Sequence, residues 1–345
     1  MNIDFYNSKA FKIDSPELKE KIFLKCEQIL QTVLKRDYFP GAQPVTIEKK
    51  DLMKLKQNYM VCEKSDGERG VLILINIDSK PMCFMINRNN EIYFMDFFFK
   101  KEVFEGSIFD GEIIETKKTK KWNYLMHDCL AYNGKSFMNE SHNLRYACII
   151  DFITRRYSHR ELDCLYMKTK LFYNYGSEIE KTWTHIKKTT ENEIDGLIFT
   201  PINEPIRFGR DYSLFKWKET HTIDLLAKIK QKGNKINGNN GNNGIELFYI
   251  KKSNNILFKT FQTDSINYNN IITFFKEIEE DLKQLIKGVI IEFKYSINDE
   301  IFIPYRIRFD KDKPNGEITV NNTIKNIQED IKIKELNNLL NELSI

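Results

Sequence analysis

The ten residues Val61-Cys62-Glu63-Lys64-Ser65-Asp66-Gly67-Glu68-Arg69-Gly70 decide how the fold of this chain is interpreted. They place Lys64 in a short connection between two apolar, strand-forming runs, and Gly67 permits a tight turn there. A nucleophilic lysine must lose its proton, although its unperturbed pKa is about 10.4. Burial or a nearby cation such as Arg69 lowers that pKa. The alternative is a charged hairpin turn, because K-x-D-G occurs often by chance.

Four later segments combine charge with strand-forming residues. Asp110-Gly111-Glu112 ends an apolar strand with two acids, which suits a ribose hydroxyl, a metal ion or a solvated turn. Leu214-Phe215-Lys216-Trp217-Lys218 puts two lysines on one strand face, because residues two apart share a face. Such a pair is unfavourable unless it faces solvent or an anion such as phosphate. The other two segments are Ile194-Asp195-Gly196-Leu197-Ile198-Phe199 and Tyr305-Arg306-Ile307-Arg308-Phe309-Asp310-Lys311.

In this order and spacing, the segments resemble the covalent nucleotidyltransferase superfamily of mRNA capping guanylyltransferases and polynucleotide ligases. The lysine segment is similar to the pattern C-E-K-x-D-G-x-R, and residues 110–112 are similar to D-G-E. Residues 195–201 resemble D-G-L-I-F-T-P, and residues 308–315 resemble R-x-D-K-x-x-P-N, which is typical of the capping branch. The strand at 124–134 and the L-L-K-W-K-like residues 214–218 complete six ordered motifs over residues 39–316.

The resemblance implies an α+β fold of two domains with a cleft between them. A nucleotidyltransferase domain of ATP-grasp-like antiparallel sheets with helices would occupy residues 1–219, and an OB-fold domain residues 220–317, with a C-terminal helix at 318–345. In the second domain the order strand, strand, strand, helix, strand, strand is compatible with such a barrel. The Gly/Asn-rich residues 232–244 predict a flexible surface loop inside it.

Hydrophobic periodicity predicts the individual elements. Helices are expected over 16–36, 141–157, 268–287 and 324–343. Strands are expected over 59–62, 71–77, 82–87, 91–97, 108–115, 124–131, 194–200, 214–218, 221–230, 245–251, 289–295 and 301–309.

The implied reaction has two steps and uses GTP with Mg²⁺ or Mn²⁺. Lys64 attacks the α-phosphate of GTP and forms a lysyl-GMP phosphoramidate with release of pyrophosphate. The 5′-diphosphate end of a nascent RNA then attacks the adduct and yields the GpppN cap. Carried over residue by residue, the resemblance assigns Lys216 and Lys218 to the α-phosphate, Arg69 and Glu112 to the ribose, Arg88 to ribose or phosphate, and Arg308 and Lys311 to the β- and γ-phosphates. Asp310 would support the pyrophosphate end, and Asp195 would bind or orient the metal or the lysine.

One position departs from the family pattern. Relatives usually carry an aromatic residue before the acid of the strand at 124–131, where it stacks on guanine, and here that residue is His127. Imidazole can stack with less area. The alternative is that His127 is a packing or surface residue.

Two other functions remain open. An ATP-dependent polynucleotide ligase would form lysyl-AMP at Lys64. A non-catalytic scaffold with the same fold would be marked by loss of the lysine or of the last basic motif, and both are present.

Composition limits the cellular setting. The 345 residues include 53 Lys and Arg and 49 Asp and Glu, and this net charge of +4 is unlike that of a histone-like binder. No stretch approaches the roughly 18 apolar residues of a membrane span, and the N-terminus has no apolar signal region. The six cysteines form no C-x-x-C pair, which disfavours disulfides and zinc and favours a reducing compartment. The resemblance implies the nucleus (a cytoplasmic factory if the source is viral), a separate RNA 5′-triphosphatase, and docking to the phosphorylated RNA polymerase II tail.

Overall fold

The structure, a computed structural model, describes residues 10–56, 58–97, 99–116, 119–161, 163–176, 178–230 and 244–341. The predicted loop at 232–244 therefore lies, except for residue 244, outside the described residues. Contacts divide the chain into a first unit, which runs to Glu219 and resumes at Lys332, and a second unit over Thr220–Ile331. We propose a domain boundary after residue 219, which this division supports.

The elements are numbered here in chain order. The helices are α1 (Pro16–Leu30), α2 (His142–Asp151), α3 (Ile179–Thr189), α4 (Ile266–Glu277), α5 (Gln284–Lys287), α6 (Glu317–Glu329) and α7 (Ile333–Asn341). A π turn (Phe152–Arg156) extends α2, and 3₁₀ helices lie at Lys49–Lys56 and Lys101–Glu105. The strands are β1 (Phe11–Lys12), β2 (Ala42–Thr46), β3 (Tyr59–Ser65), β4 (Glu68–Ile77), β5 (Lys80–Asn87), β6 (Ile92–Met95), β7 (Ser107–Glu115), β8 (Trp122–Tyr132), β9 (Lys135–Ser136), β10 (Tyr166–Thr169), β11 (Tyr173–Asn174), β12 (Ile194–Pro201), β13 (Gly209–Lys218), β14 (Thr222–Ile229), β15 (Gly244–Lys251), β16 (Asn254–Gln262), β17 (Val289–Ser296) and β18 (Ile301–Ile307).

Two sheets build the first unit. The larger has the order β1-β6-β5-β4-β7-β8-β10, with β9 on β8, and the smaller has the order β11-β3-β12-β13-β2. The continuous apolar run of β4 is explained by burial on both faces: Leu72 and Leu74 join one core cluster, and Val71 and Ile73 join the other. Helix α1 supplies side chains to the second of these clusters. The larger sheet is thus packed on both faces, and β4, β7 and β8 lie side by side in it.

The second unit is a five-stranded antiparallel sheet in the order β16-β15-β14-β17-β18. Helix α4 lies between its third and fourth strands along the chain. The core includes Ile223, Phe275, Phe293 and Phe302. This topology is that of an OB fold, and the predicted α+β class with a C-terminal OB-fold domain is confirmed.

Three predicted helices end earlier than their apolar patterns indicate, and each break falls at a residue with left-handed backbone. Ser15 caps α1, but the helix stops at Leu30 because Gln31 has φ 56°, and Val33 is 84% exposed. The helix expected over 268–287 is α4 and α5, with Glu279 at φ 57° between them.

The tail differs in the same way. The helix expected from Ile324 to Leu343 is two helices, α6 and α7, separated at Asp330, which has φ 43°. Residues 342–345 lie outside the described residues. Helix α6 belongs to the second unit, whereas α7 belongs to the first, where the Tyr175 hydroxyl donates to the Leu336 carbonyl at 2.6 Å. Among the described residues no helix is both long and apolar enough to cross a membrane.

Candidate active site

Lys64 lies near the end of β3, and the neighbouring strand β12 places a carboxylate beside it. Lys64 pairs with Gly196, while Ser65 pairs with Ile194, so Asp195 is an extra residue in a β-bulge. A bulge re-aims a side chain relative to regular alternation. The Asp195 Oδ1 atom lies 2.8 Å from the Lys64 Nζ atom.

Strand β13 brings two further lysines to the same place. Phe215 and Trp217 are buried in the unit, so Lys216 and Lys218 project from the opposite face. Gly196 pairs with Lys218 across β12 and β13, and the Lys218 Nζ atom lies 2.7 Å from Asp195 Oδ2. Asp195 therefore bridges Lys64 and Lys218.

The charges of this cluster do not balance. Burial raises the pKa of Asp195, but Lys218 and Lys64 outweigh it and hold that pKa below its usual value. Burial, with Lys218 and Lys64 nearby, lowers the pKa of Lys216 to about 8. One carboxylate thus faces three ammonium groups, and the excess positive charge suits an anion such as a phosphate.

Arg69 and His127 meet at a second carboxylate, Asp110. Arg69 donates through Nε to Asp110 Oδ1 at 2.9 Å and through Nη2 to Oδ2 at 2.5 Å. In the β7–β8 pairing, Asp110 aligns with Asp128 and Gly111 with Met126, so His127 is also a bulge residue. Its Nε2 lies 3.5 Å from Asp110 Oδ1. Burial, then Arg69, lowers the pKa of His127 to about 3, so the imidazole is neutral near pH 7.

Glu112 and Lys170 form a buried ion pair beside them. The Lys170 Nζ atom donates to Glu112 Oε2 at 2.9 Å and to the Glu63 carbonyl at 3.2 Å. Burial opposes the charge of both groups, yet their attraction raises the pKa of Lys170 and lowers that of Glu112. Sequence reasoning missed Lys170, because it follows the short strand β10 without any motif. Arg88, also predicted in the site, is exposed and interacts electrostatically with Arg69 and Glu112.

The last motif forms its own cluster in the second unit, around Asp224. Arg308 donates through Nη1 to the two Asp224 oxygens at 3.1 and 3.0 Å, and Lys311 Nζ also contacts Asp224. Arg308 is hydrogen-bonded to Asp310 as well, and this lowers the pKa of Asp310 to about 2. We call Asp224, Arg308, Asp310 and Lys311 the Asp224 cluster. Sequence reasoning found its three motif residues but not Asp224.

Among the residues that the structure describes, no ready-made protein site for the predicted metal ion is present. The described residues contain no group of three or more His, Cys, Asp or Glu side chains that could hold one. Both oxygens of Asp195, the predicted ligand, already contact lysines. Asp195 and the other described side chains therefore do not form a metal site by themselves.

Comparison with known proteins identifies the family. Residues 11–220 match the model "mRNA capping enzyme, catalytic domain", and residues 212–337 match "mRNA capping enzyme, C-terminal domain". The mRNA-capping enzyme subunit alpha of Kluyveromyces lactis is 28% identical over 389 residues, covering 93% of this chain and 81% of that protein. The Saccharomyces cerevisiae protein of the same name is 32% identical over 217 residues, covering 54% of this chain and 47% of that protein.

The similarity extends to animals. The mRNA-capping enzyme of Danio rerio is 28% identical over 332 residues, covering 91% of this chain and 51% of that protein. The chain thus spans about half the length of several curated relatives. A solved structure of mycobacterial DNA ligase D with ATP and MES has a TM-score of 0.44 and 9% identity, covering 81% of this chain and 97% of that one, a likeness too weak to carry an argument. Because the catalytic-domain model matches more than half of the chain, the chain belongs to the mRNA capping enzyme family of nucleotidyltransferases.

Proposed function

We propose that this protein is an mRNA guanylyltransferase that transfers GMP from GTP, through Lys64, to the 5′-diphosphate end of RNA. The observation that carries the proposal is the pairing of Lys64 and Lys218 with Asp195, with Lys216 beside them as an electrostatic neighbour. A nucleophilic amine next to surplus positive charge is what attack on a polyphosphate requires. Family membership favours this function over the ligase and the scaffold.

In the first step, the deprotonated Nζ of Lys64 forms a bond to the α-phosphorus of GTP. The bond between that phosphorus and the bridging oxygen breaks, and pyrophosphate leaves with its electron pair. Asp195 lies within hydrogen-bond distance of Nζ and orients it. Lys216 and Lys218 neutralise the charge that develops on the α-phosphate oxygens.

The remaining residues hold the nucleotide. Arg69 and Glu112 would bind the ribose, and Arg88 the ribose or a phosphate. His127, neutral near pH 7, would stack on guanine. A neutral imidazole brings no extra charge to the base, so stacking area is its contribution.

The two cations of the Asp224 cluster, Arg308 and Lys311, would take the β- and γ-phosphates, with Asp310 supporting the pyrophosphate end. In the second step, a terminal phosphate oxygen of diphosphate RNA attacks the phosphoramidate phosphorus. The P–N bond then breaks, and Lys64 takes up a proton as it leaves.

Partners, metal and location follow from the same proposal. The fungal relatives are named as a subunit alpha, which supports a separate protein for the RNA 5′-triphosphatase step. We propose the nucleus as the location, and docking to the phosphorylated RNA polymerase II tail. A requirement for Mg²⁺ or Mn²⁺ stays a prediction. Mg²⁺ is usually held by one or two carboxylates plus substrate phosphates, so Asp195 alone does not supply the site.

The test uses GTP and ATP, each labelled at the α-phosphate. We expect label from GTP to remain on the denatured protein, and Lys64→Arg to abolish it, whereas the exposed control Lys100→Arg retains it. Added diphosphate RNA should collect the label as a cap, and monophosphate RNA should not. Preferential labelling by ATP would favour the ligase. Label that persists in Lys64→Arg would overturn the covalent mechanism, and no label from either nucleotide would favour the scaffold.

A further inference from the structure

The turn Phe39-Pro40-Gly41 lies directly against the Arg69–Asp110 pair. The Phe39 ring is 5% exposed, and its centroid lies 5.2 Å from the central carbon of the Arg69 guanidinium. A desolvated contact of this kind is attractive, because the ring face carries negative charge density. Phe39 therefore limits the positions that the guanidinium can adopt.

Gly41 brings the turn closer than any other residue could. A Cβ at this position would lie 2.9 Å from Asp110 Oδ2, 3.1 Å from Arg69 Nη2 and 2.5 Å from the Phe39 ring. The turn is fixed from its other side, since the Gly209 N–H donates to the Gly41 carbonyl at 3.1 Å. The turn thus links the start of β13, in the smaller sheet, to the ion pair on the larger sheet.

The ion pair with Asp110, which this turn packs against, determines which Arg69 donors remain for a ligand. Asp110 occupies Nε and one hydrogen of Nη2. The two hydrogens on Nη1 and the second hydrogen on Nη2 contact no acceptor among the described residues, so these three are the donors that a ribose hydroxyl could meet. The Arg69 side chain is only 12% exposed, so a small rotation would change what those donors reach.

We propose that Phe39 is a positioning residue that holds Arg69 for recognition of the nucleotide's ribose. The inference rests on the proposed function, in which Arg69 binds that ribose. It predicts that loss of the ring weakens discrimination between GTP and its deoxy forms more than it weakens binding of the deoxy forms themselves. The reason is that a mobile guanidinium loses the hydroxyl contact but keeps its charge.

The experiment measures equilibrium binding of GTP, 2′-deoxy-GTP and 3′-deoxy-GTP to the full chain by titration calorimetry, with adduct formation measured in parallel. For Phe39→Ala we expect the preference for GTP over the more weakly bound deoxy form to fall about thirtyfold, the equivalent of a desolvated cation–π contact. The preference of Phe39→Leu should lie between those of the native protein and Phe39→Ala, and Phe39→Tyr should retain the native preference. A preference unchanged in both Phe39→Ala and Phe39→Leu would overturn the proposal.

Phe23→Ala is the matched control. Phe23 belongs to the same core cluster as Phe39, is 4% exposed, and packs its ring 4.9 Å from Arg36, which pairs with Glu20 and Glu27. Phe23→Ala should lower thermal stability about as much as Phe39→Ala does, without changing the preference for GTP over its deoxy forms. An equal drop in this control would refute a positioning role. Normal discrimination in binding without any adduct would instead count against the proposed function, and the binding ratios would still test Phe39.

Discussion

Replacing Gly196 by alanine should disable the candidate site by displacing two of its strands. Gly196 pairs with both Lys64 and Lys218, and a Cβ there would lie 1.9 Å from the Trp217 carbonyl oxygen. Contacts below 3.0 Å are essentially never seen for a real Cβ, so β12 and β13 must separate by about 1.1 Å. Asp195 and Lys218 are attached to those strands. A misplacement of about 1 Å costs about 10²-fold in rate, and overpacking costs about 1–3 kcal/mol of stability.

The assay is the rate of label transfer from GTP to the protein, with urea unfolding measured on the same samples. Gly176→Ala is the matched control, because a Cβ at Gly176 has no neighbour within 4 Å. We expect the Gly196 variant to remain folded and to label about 100-fold more slowly, with the control close to the native rate. Labelling by Gly196→Ala within threefold of the native rate would show that the close pairing of β12 and β13 does not set the geometry of the lysines.

Three further perturbations test the charges. The pKa of Lys216 is lowered to about 8 in the folded protein, so its positive charge opposes folding. Between pH 8 and 10.5 the unfolded chain therefore binds more protons than the folded one, and stability rises with pH. Lys216→Met should be more stable than the native protein below pH 8, and urea titrations should show that this gain is lost toward pH 10.5. Asp224→Asn removes a buried partner of two cations and should cost about 3–5 kcal/mol, with adduct formation reduced, whereas the exposed control Asp264→Asn should change neither stability nor adduct formation. Arg145 is buried on Asp128 at 2.7 Å, so Arg145→Met should cost about 3–5 kcal/mol in chemical denaturation, and the double variant with Asp128→Asn should recover part of that loss.

Local pattern predicted most strands but not where helices end. The apolar period of α1 continues past Leu30 through Val33 and Leu34, yet the left-handed Gln31 turns the chain away. Similar breaks at Glu279 and Asp330 divide two other predicted helices. A positive φ is uncommon for residues other than glycine, and at these three positions it is imposed by tertiary packing. The amino-acid composition of the segment therefore does not reveal where the helix ends.

The motifs named the chemistry of the site but not its geometry. In a regular strand the side chain of Asp195 would point to the face opposite Lys64. The bulge that turns it toward Lys64 is revealed only by the pairing register of β12 with β3. His127 on β8 is likewise a bulge residue, which is revealed only by the pairing register of β8 with β7. Lys170 lies 58 residues from Glu112 along the chain, so no local spacing connects the two.

In each unit, an aspartate forms ion pairs with cations that are proposed to bind phosphate. Asp195 holds Lys64 and Lys218 in the first unit, and Asp224 holds Arg308 and Lys311 in the second. A partly buried cation without a partner is destabilising, so each aspartate keeps its cations ordered when no nucleotide is bound. An incoming phosphate must then share the cations with a carboxylate or displace it. The net free energy of phosphate binding is therefore smaller than the number of cations alone implies. The near-neutral total of +4 agrees with this arrangement, because each group of cations has acids beside it, and only the three lysines around Asp195 keep an excess of positive charge.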